Sequence, residues 1–297
     1  MRRTIATGLG VLAVANLLNN RVARRWAPLT SAAATGALLL IARREGLSWP
    51  ELGFRGARAG AATGGALAAA VAAGYAAGVA LPRTRPLFLD QRALALSRRR
   101  VLEEALVQVP LGTVLLEEVG FRGVLPALLG RVLPARTAVA ASAALFGLWH
   151  VLPALDMARA NPALGRLAAG EDPAPRDGGR GGAEKGRLAA GEDPGDCRGS
   201  VEAGRPAVGE DPALGVGRRG GVEAGRLVAG TVASTAVAGL VFHGLRHRAG
   251  LLAPALLHVA TNSLGYAAAR VARRLDDRRA GPAGRDQASP GRASPVR

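Results

Sequence analysis

Lysine is nearly absent from this 297-residue chain: Lys185 is the only one, although lysine and arginine together number 39. Aromatic residues make up only 3% and cysteine occurs once, as Cys197. A lone cysteine excludes an internal disulfide and a cysteine-based zinc site. The shortage of aromatics removes the stacking residues that nucleic-acid surfaces interleave with basic patches. The net charge of +17 is therefore not read as nucleic-acid contact. Hydrolase signatures are missing too. There is no His-Glu-x-x-His for a zinc helix and no Gly-x-Ser-x-Gly nucleophile elbow. No pair of aspartates lies inside apolar segments, since Asp90 and Asp156 fall at segment ends.

What the chain has is apolar, with hydrophobic residues at 49%. Most of these are Ala, Leu and Val, with abundant Gly, the small-residue mix that lets membrane helices approach closely. Arginines gather where apolar segments end: Arg21, Arg24 and Arg25, Arg43 and Arg44, Arg98 to Arg100, Arg273 and Arg274. Flanking charge of that kind faces anionic lipid headgroups. The pattern predicts an all-α, polytopic transmembrane helix bundle with about seven membrane segments and a disordered insertion.

Residues 4–19 read as a retained first helix. A signal peptide is the rival, but no small-residue cleavage pattern precedes Arg24-Arg25-Trp26. Residues 29–42 form a short second run, and residues 1–44 together an N-terminal pair of membrane helices. A core part spans residues 45–160. Within it, Ser48, Trp49 and Pro50 mark an interfacial break, residues 58–81 read as a helix packed through small residues, and residues 82–100 as a polar connection. Residues 101–130 read as a helix that Pro110 kinks, freeing a carbonyl. Residues 136–152 follow, closing at Pro153. Residues 161–227 are low-complexity and hold a repeated unit starting at Gly165, Gly186 and Gly204, with a partial copy at Gly225. These units carry too few apolar positions to stack as a solenoid, so the segment reads as disordered. Cys197 lies within it. Residues 228–271 resume the core with a last helix over 251–270, and residues 272–297 read as a disordered tail.

The charged residues inside apolar runs point to function. Leu115-Leu116-Glu117-Glu118-Val119-Gly120-Phe121-Arg122 sets three ionisable side chains inside an otherwise apolar run. Each costs roughly 2.5 to 3.5 kcal/mol at membrane depth. Glu118 and Arg122, four apart, share a helix face and pair, whereas Glu117 lies about 100° round and points elsewhere. The earlier Glu103-Glu104 pair has Gln108 where an arginine would be needed. Two later stretches carry Phe146-x-x-x-His150 and His258-x-x-x-Asn262, the latter again on one face. His243 and His247 match neither pattern, and Trp149 reads as packing.

The ordered set Glu-Glu-x-x-x-Arg, Phe-x-x-x-His, His-x-x-x-Asn resembles the CPBP family of intramembrane proteases, which includes the type II CAAX prenyl proteases and bacteriocin-processing or immunity-like proteins. Leu47 to Phe54 resembles the segment upstream of that family's core. The resemblance implies an intramembrane endopeptidase, a multi-pass protein of the cell membrane with a peptide or membrane-protein substrate. It assigns Glu117 and His150 to the water, His258 and Asn262 to the oxyanion, and Glu118 with Arg122 to the same site. Family members have also been called metalloproteases, in which case Glu117, His150 and His258 would bind zinc. The alternative is a non-catalytic immunity or scaffolding protein that keeps the fold. A transporter would predict inverted repeats, and none is visible.

Overall fold

The computed structural model describes residues 1–161 and 212–280, and among these every regular element is helical. The helices are α1 (Arg2–Leu17), α2 (Ala27–Arg44), α3 (Ala57–Ala80), α4 (Gln91–Ala95), the run α5 (98–129), α6 (Ala135–Trp149), α7 (Val151–Ala160), α8 (Pro212–Ala249) and α9 (Leu252–Ala280). Their boundaries have local causes. Leu81 ends α3 in an extended conformation because Pro82 follows it. The Asp90 and Ser97 side chains cap α4 and α5 by accepting the Arg92 and Arg100 N–H groups. Gly250, at φ 77°, makes the left-handed turn between α8 and α9. An added Cβ there would lie 2.0 Å from the Arg55 carbonyl oxygen.

The bundle is wrapped around α5. From Leu116 to Leu129 all but one of its side chains are buried. They pack against Leu12 of α1, Leu38 of α2 and Phe146 of α6 in one core. This run is not a uniform helix. It starts as an α-helix (Arg98–Glu103), widens to a π-helix (Glu104–Val114) and narrows over Leu115–Glu117. It then widens again (Glu118–Val124) and closes as an α-helix (Leu125–Leu129). Pro110 therefore sits in a π-helical stretch rather than at a simple kink. In a π-turn, residue i bonds to residue i+5. Pro110 has no N–H to give, so the Ala105 carbonyl accepts the Ser263 hydroxyl of α9 instead, at 2.6 Å.

Small residues set the other contacts, as the composition predicts. An added Cβ at Gly60 of α3 would lie 2.8 Å from the carbonyl oxygen of Ala249, the last residue of α8, and at Gly64 2.9 Å from that of Ala253 in α9. At Gly147 of α6 it would lie 2.6 Å from the Val232 carbonyl of α8. Among the described residues three helices are long and apolar enough to cross a membrane: Ala57–Ala80, Ala135–Ala160 and Ala224–Ala249. That is fewer than the expected seven. The α1 helix has 16 residues, and α5 carries its own charges, which the surrounding helices bury. The molecule is an all-α membrane helix bundle with α5 inside.

Three boundaries differ from the sequence reading. Pro153 does not close the helix after Trp149; the chain turns at His150 and runs on as α7 to Ala160. Residues 212–227, expected in the insertion, are helical as the start of α8. The α9 helix continues to Ala280, well into the expected tail, and Asp276 on that extension pairs with buried Arg85 at 3.0 Å. Cys197 and the repeats starting at Gly165, Gly186 and Gly204 lie outside the described residues.

Candidate active site

Glu117 and Glu118 are neighbours on α5 with ordinary helical dihedrals, φ −68°, ψ −43° and φ −70°, ψ −45°. Their Cα–Cβ bonds therefore diverge by about 100°, and the side chains converge again on one partner. Both reach His258 on α9. The Glu118 Oε1 lies 2.8 Å from His258 Nδ1, and the Glu117 Oε2 lies 3.6 Å from its Nε2. All three side chains are buried. A carboxylate only accepts, so the Nδ1–H donates to Glu118 and the Nε2 faces Glu117.

Arg122 stands behind this pair, 1% exposed. Its Nε is 3.5 Å from the Glu118 Oε2, which bears out the predicted i,i+4 pairing. The guanidinium lies 3.7 Å from the Phe146 ring centroid and 4.9 Å from that of Phe242. Two aromatic faces and a carboxylate thus compensate a cation that burial would otherwise make costly. Arg122 does not line the cavity.

His150 arrives from the break between α6 and α7. Its backbone, at φ −85° and ψ 1°, caps the end of one helix and the start of the next, in the sparsely populated bridge region where active-site residues recur. The ring Nδ1–H donates to the Phe146 carbonyl at 2.8 Å. That fixes the tautomer and turns the Nε2 toward Glu117 Oε2, 3.9 Å away. The third partner of the Glu117 carboxylate is Trp149, whose Nε1–H donates to the Oε1 at 2.8 Å. Sequence reading treats Trp149 as packing, and no spacing rule flags it. Its carbonyl would bond to the N–H of residue 153, but that residue is Pro153; the Asn16 side chain of α1 donates to it instead, at 2.9 Å.

Glu117, His150, His258 and Asn262 all line one cavity of about 1170 Å³. This exceeds the usual size of a small-molecule site and has room for several residues of peptide. Asn262 is exposed to it, one turn beyond His258. His243 does not line it. Glu103 and Glu104 are both tied to Arg100, the latter at 2.7 Å. Around the Glu117 Oε2, the distances of 3.6 and 3.9 Å are too long for direct hydrogen bonds and suit a bridging water. Among the described residues no group of three or more His, Cys, Asp or Glu side chains is disposed to hold a metal ion. Glu117, His150 and His258, the residues that would bind zinc in a metal-dependent member, converge around the Glu117 Oε2.

Residues 104–264, more than half of the chain, match the family described as type II CAAX prenyl endopeptidase Rce1-like. No curated protein and no solved structure matches the chain significantly.

Proposed function

This chain belongs to the Rce1-like family of type II CAAX prenyl endopeptidases, and from that premise we propose that it is an intramembrane endopeptidase of the cell membrane, crossing the bilayer several times and cutting a peptide bond of a membrane-associated protein or peptide. The observation that carries the reading is the Glu117 Oε2. It is buried, accepts no hydrogen bond from a described group, and faces two imidazole Nε2 atoms at the cavity wall.

A water held there gives one hydrogen to Glu117 and the other to the His150 Nε2, aiming its lone pair into the cavity. Glu117 takes the proton as the water oxygen attacks the scissile carbonyl. The developing oxyanion is met by the Asn262 amide N–H and by His258 carrying a proton on its Nε2. When the tetrahedral intermediate collapses, the proton on Glu117 passes to the leaving amine. Glu118 holds His258 through its Nδ1–H, and Arg122 balances the charge of Glu118; both are positioning residues.

The test is E117Q in proteoliposomes with a prenylated CAAX peptide. The rate falls about 10²- to 10⁴-fold, the range for loss of a general base, while the unfolding temperature holds. Undiminished cleavage by E117Q would sink the mechanism. A metal chelator leaves the wild-type rate unchanged. Inhibition reversed by added zinc would instead put a metal on Glu117, His150 and His258.

A further inference from the structure

The two side chains proposed to meet the oxyanion are held very differently. The His258 ring is buried and fixed by Glu118. The Asn262 side chain is exposed to the cavity and makes no hydrogen bond among the described residues. An unheld amide takes its aim from its own backbone, and a misplacement of about 1 Å near a reacting centre costs roughly 100-fold in rate. That backbone has a tie from outside its helix. The Tyr75 hydroxyl of α3 donates to the Thr261 carbonyl at 2.9 Å. We propose that Tyr75 is a positioning residue, which aims the Asn262 amide at the oxyanion through the peptide group between Thr261 and Asn262. This rests on the protease reading of the same cavity.

The chain of contacts is short. The Thr261 carbonyl and the Asn262 nitrogen belong to one peptide group, which is planar. Holding the oxygen therefore holds the plane from which the Asn262 Cα and side chain leave. The Thr261 hydroxyl donates to the His258 carbonyl at 2.9 Å, so the turn from His258 to Asn262 is tied within itself as well as to α3. Tyr75 is held in its turn. It is the one aromatic residue of α3. Its ring meets the Phe88 ring edge-on, with centroids 5.5 Å apart, and packs with Val79 of α3 and with Ala268 and Ala272 of α9. Earlier on α3, Gly64 lets the two backbones approach closely; at Tyr75 a side chain spans them instead. Tyr75 lies outside residues 104–264 and belongs to none of the three motifs.

Tyr75 also lines the cavity, so direct contact with the substrate is the competing role, and the experiment separates the two. Y75F removes the hydroxyl and keeps the ring with its packing. In proteoliposomes with an internally quenched prenylated CAAX peptide, Y75F lowers kcat about three- to tenfold, the size of one neutral hydrogen bond, and leaves KM unchanged. A second measurement needs no turnover. Calorimetry reads the affinity for a peptide phosphinate, whose tetrahedral anion mimics the intermediate, in wild type, Y75F, N262A and the double variant. Y75F weakens phosphinate binding by the same three- to tenfold where Asn262 is present and has no effect in N262A, the coupling expected of two groups that act as one. If Y75F raises KM alone, weakens the phosphinate equally with and without Asn262, or changes neither constant, Tyr75 does not act through Asn262, and the inference fails while the protease reading stands. If wild type does not cut the peptide, both fail together.

Discussion

At the residue scale, the proposed mechanism requires the two oxygens of Glu117 to be held to different tasks. The Trp149 indole N–H holds the Oε1, and that leaves the Oε2 for the water. Trp149 is itself fixed twice, by Asn16 on its carbonyl and by its ring against Phe121, with centroids 5.3 Å apart. W149F keeps most of the ring contact and removes the N–H. A hydrogen bond to a charged group contributes about 1.5–3 kcal/mol, so we expect kcat to fall about tenfold or more with KM nearly unchanged. Steady-state kinetics on the prenylated peptide read that split. A variant losing only substrate affinity would show that Trp149 lines the cavity without orienting the base. Glu118 and His258 are coupled in the same way, through Nδ1.

At the scale of elements, two prolines do related work. Pro110 frees the Ala105 carbonyl for Ser263 of α9, and Pro153 frees the Trp149 carbonyl for Asn16 of α1. Each turns a gap in a helix ladder into a tie to another helix. The freed carbonyl at Pro110 is legible in the sequence; its partner is not, because it lies more than 150 residues away. Small residues tie helices by the opposite route, close approach. Gly64 and Gly65 are adjacent on α3 but differ: an added Cβ at Gly64 meets the Ala253 oxygen at 2.9 Å, while at Gly65 nothing lies within 4 Å. G64A therefore drives α3 from α9, which carries His258, and costs about 1–3 kcal/mol of stability, as overpacking does. G65A is neutral or stabilising by up to ~1 kcal/mol, since alanine is the better helix former. Thermal unfolding of the two variants in one detergent checks the contrast. Equal effects would mean that the α3–α9 approach is looser than it stands.

For the whole molecule, the matched region 104–264 holds the motif residues, but the cavity is closed by chain outside it. Arg25, Tyr75, Asp90 and Arg92 all line the wall. The motif order was readable because each pair, Glu118 with Arg122 and His258 with Asn262, lies within one helical turn. The convergence of both glutamates on one imidazole was not, since it depends on how α9 packs against α5, and His258 lies 140 residues from Glu118. The helical start of α8 was hidden by Gly- and Arg-rich composition. Asp90 shows how the outer connection is bound to the core. It caps α4 and accepts from Asn161 at the end of α7, at 3.2 Å. Half-burial pushes its carboxyl up, but the Arg92 hydrogen bond and charge, the Arg92 N–H and Asn161 outweigh this and hold it below the ordinary carboxylate value. The folded state therefore favours the ionised form. The stability this contributes is present above the unfolded value of about 3.9 and is lost as the pH falls through the lower folded value. D90N keeps a capping oxygen but loses the ion pair with Arg92, and should cost about 0.5 kcal/mol at pH 6, as for a partly exposed pair. The gap between the unfolding temperatures of wild type and D90N should then narrow as the pH drops toward 3. A gap that stays constant from pH 6 to pH 3 would show that the Asp90 contacts do not depend on its charge, and that the connection is held to the core by packing alone.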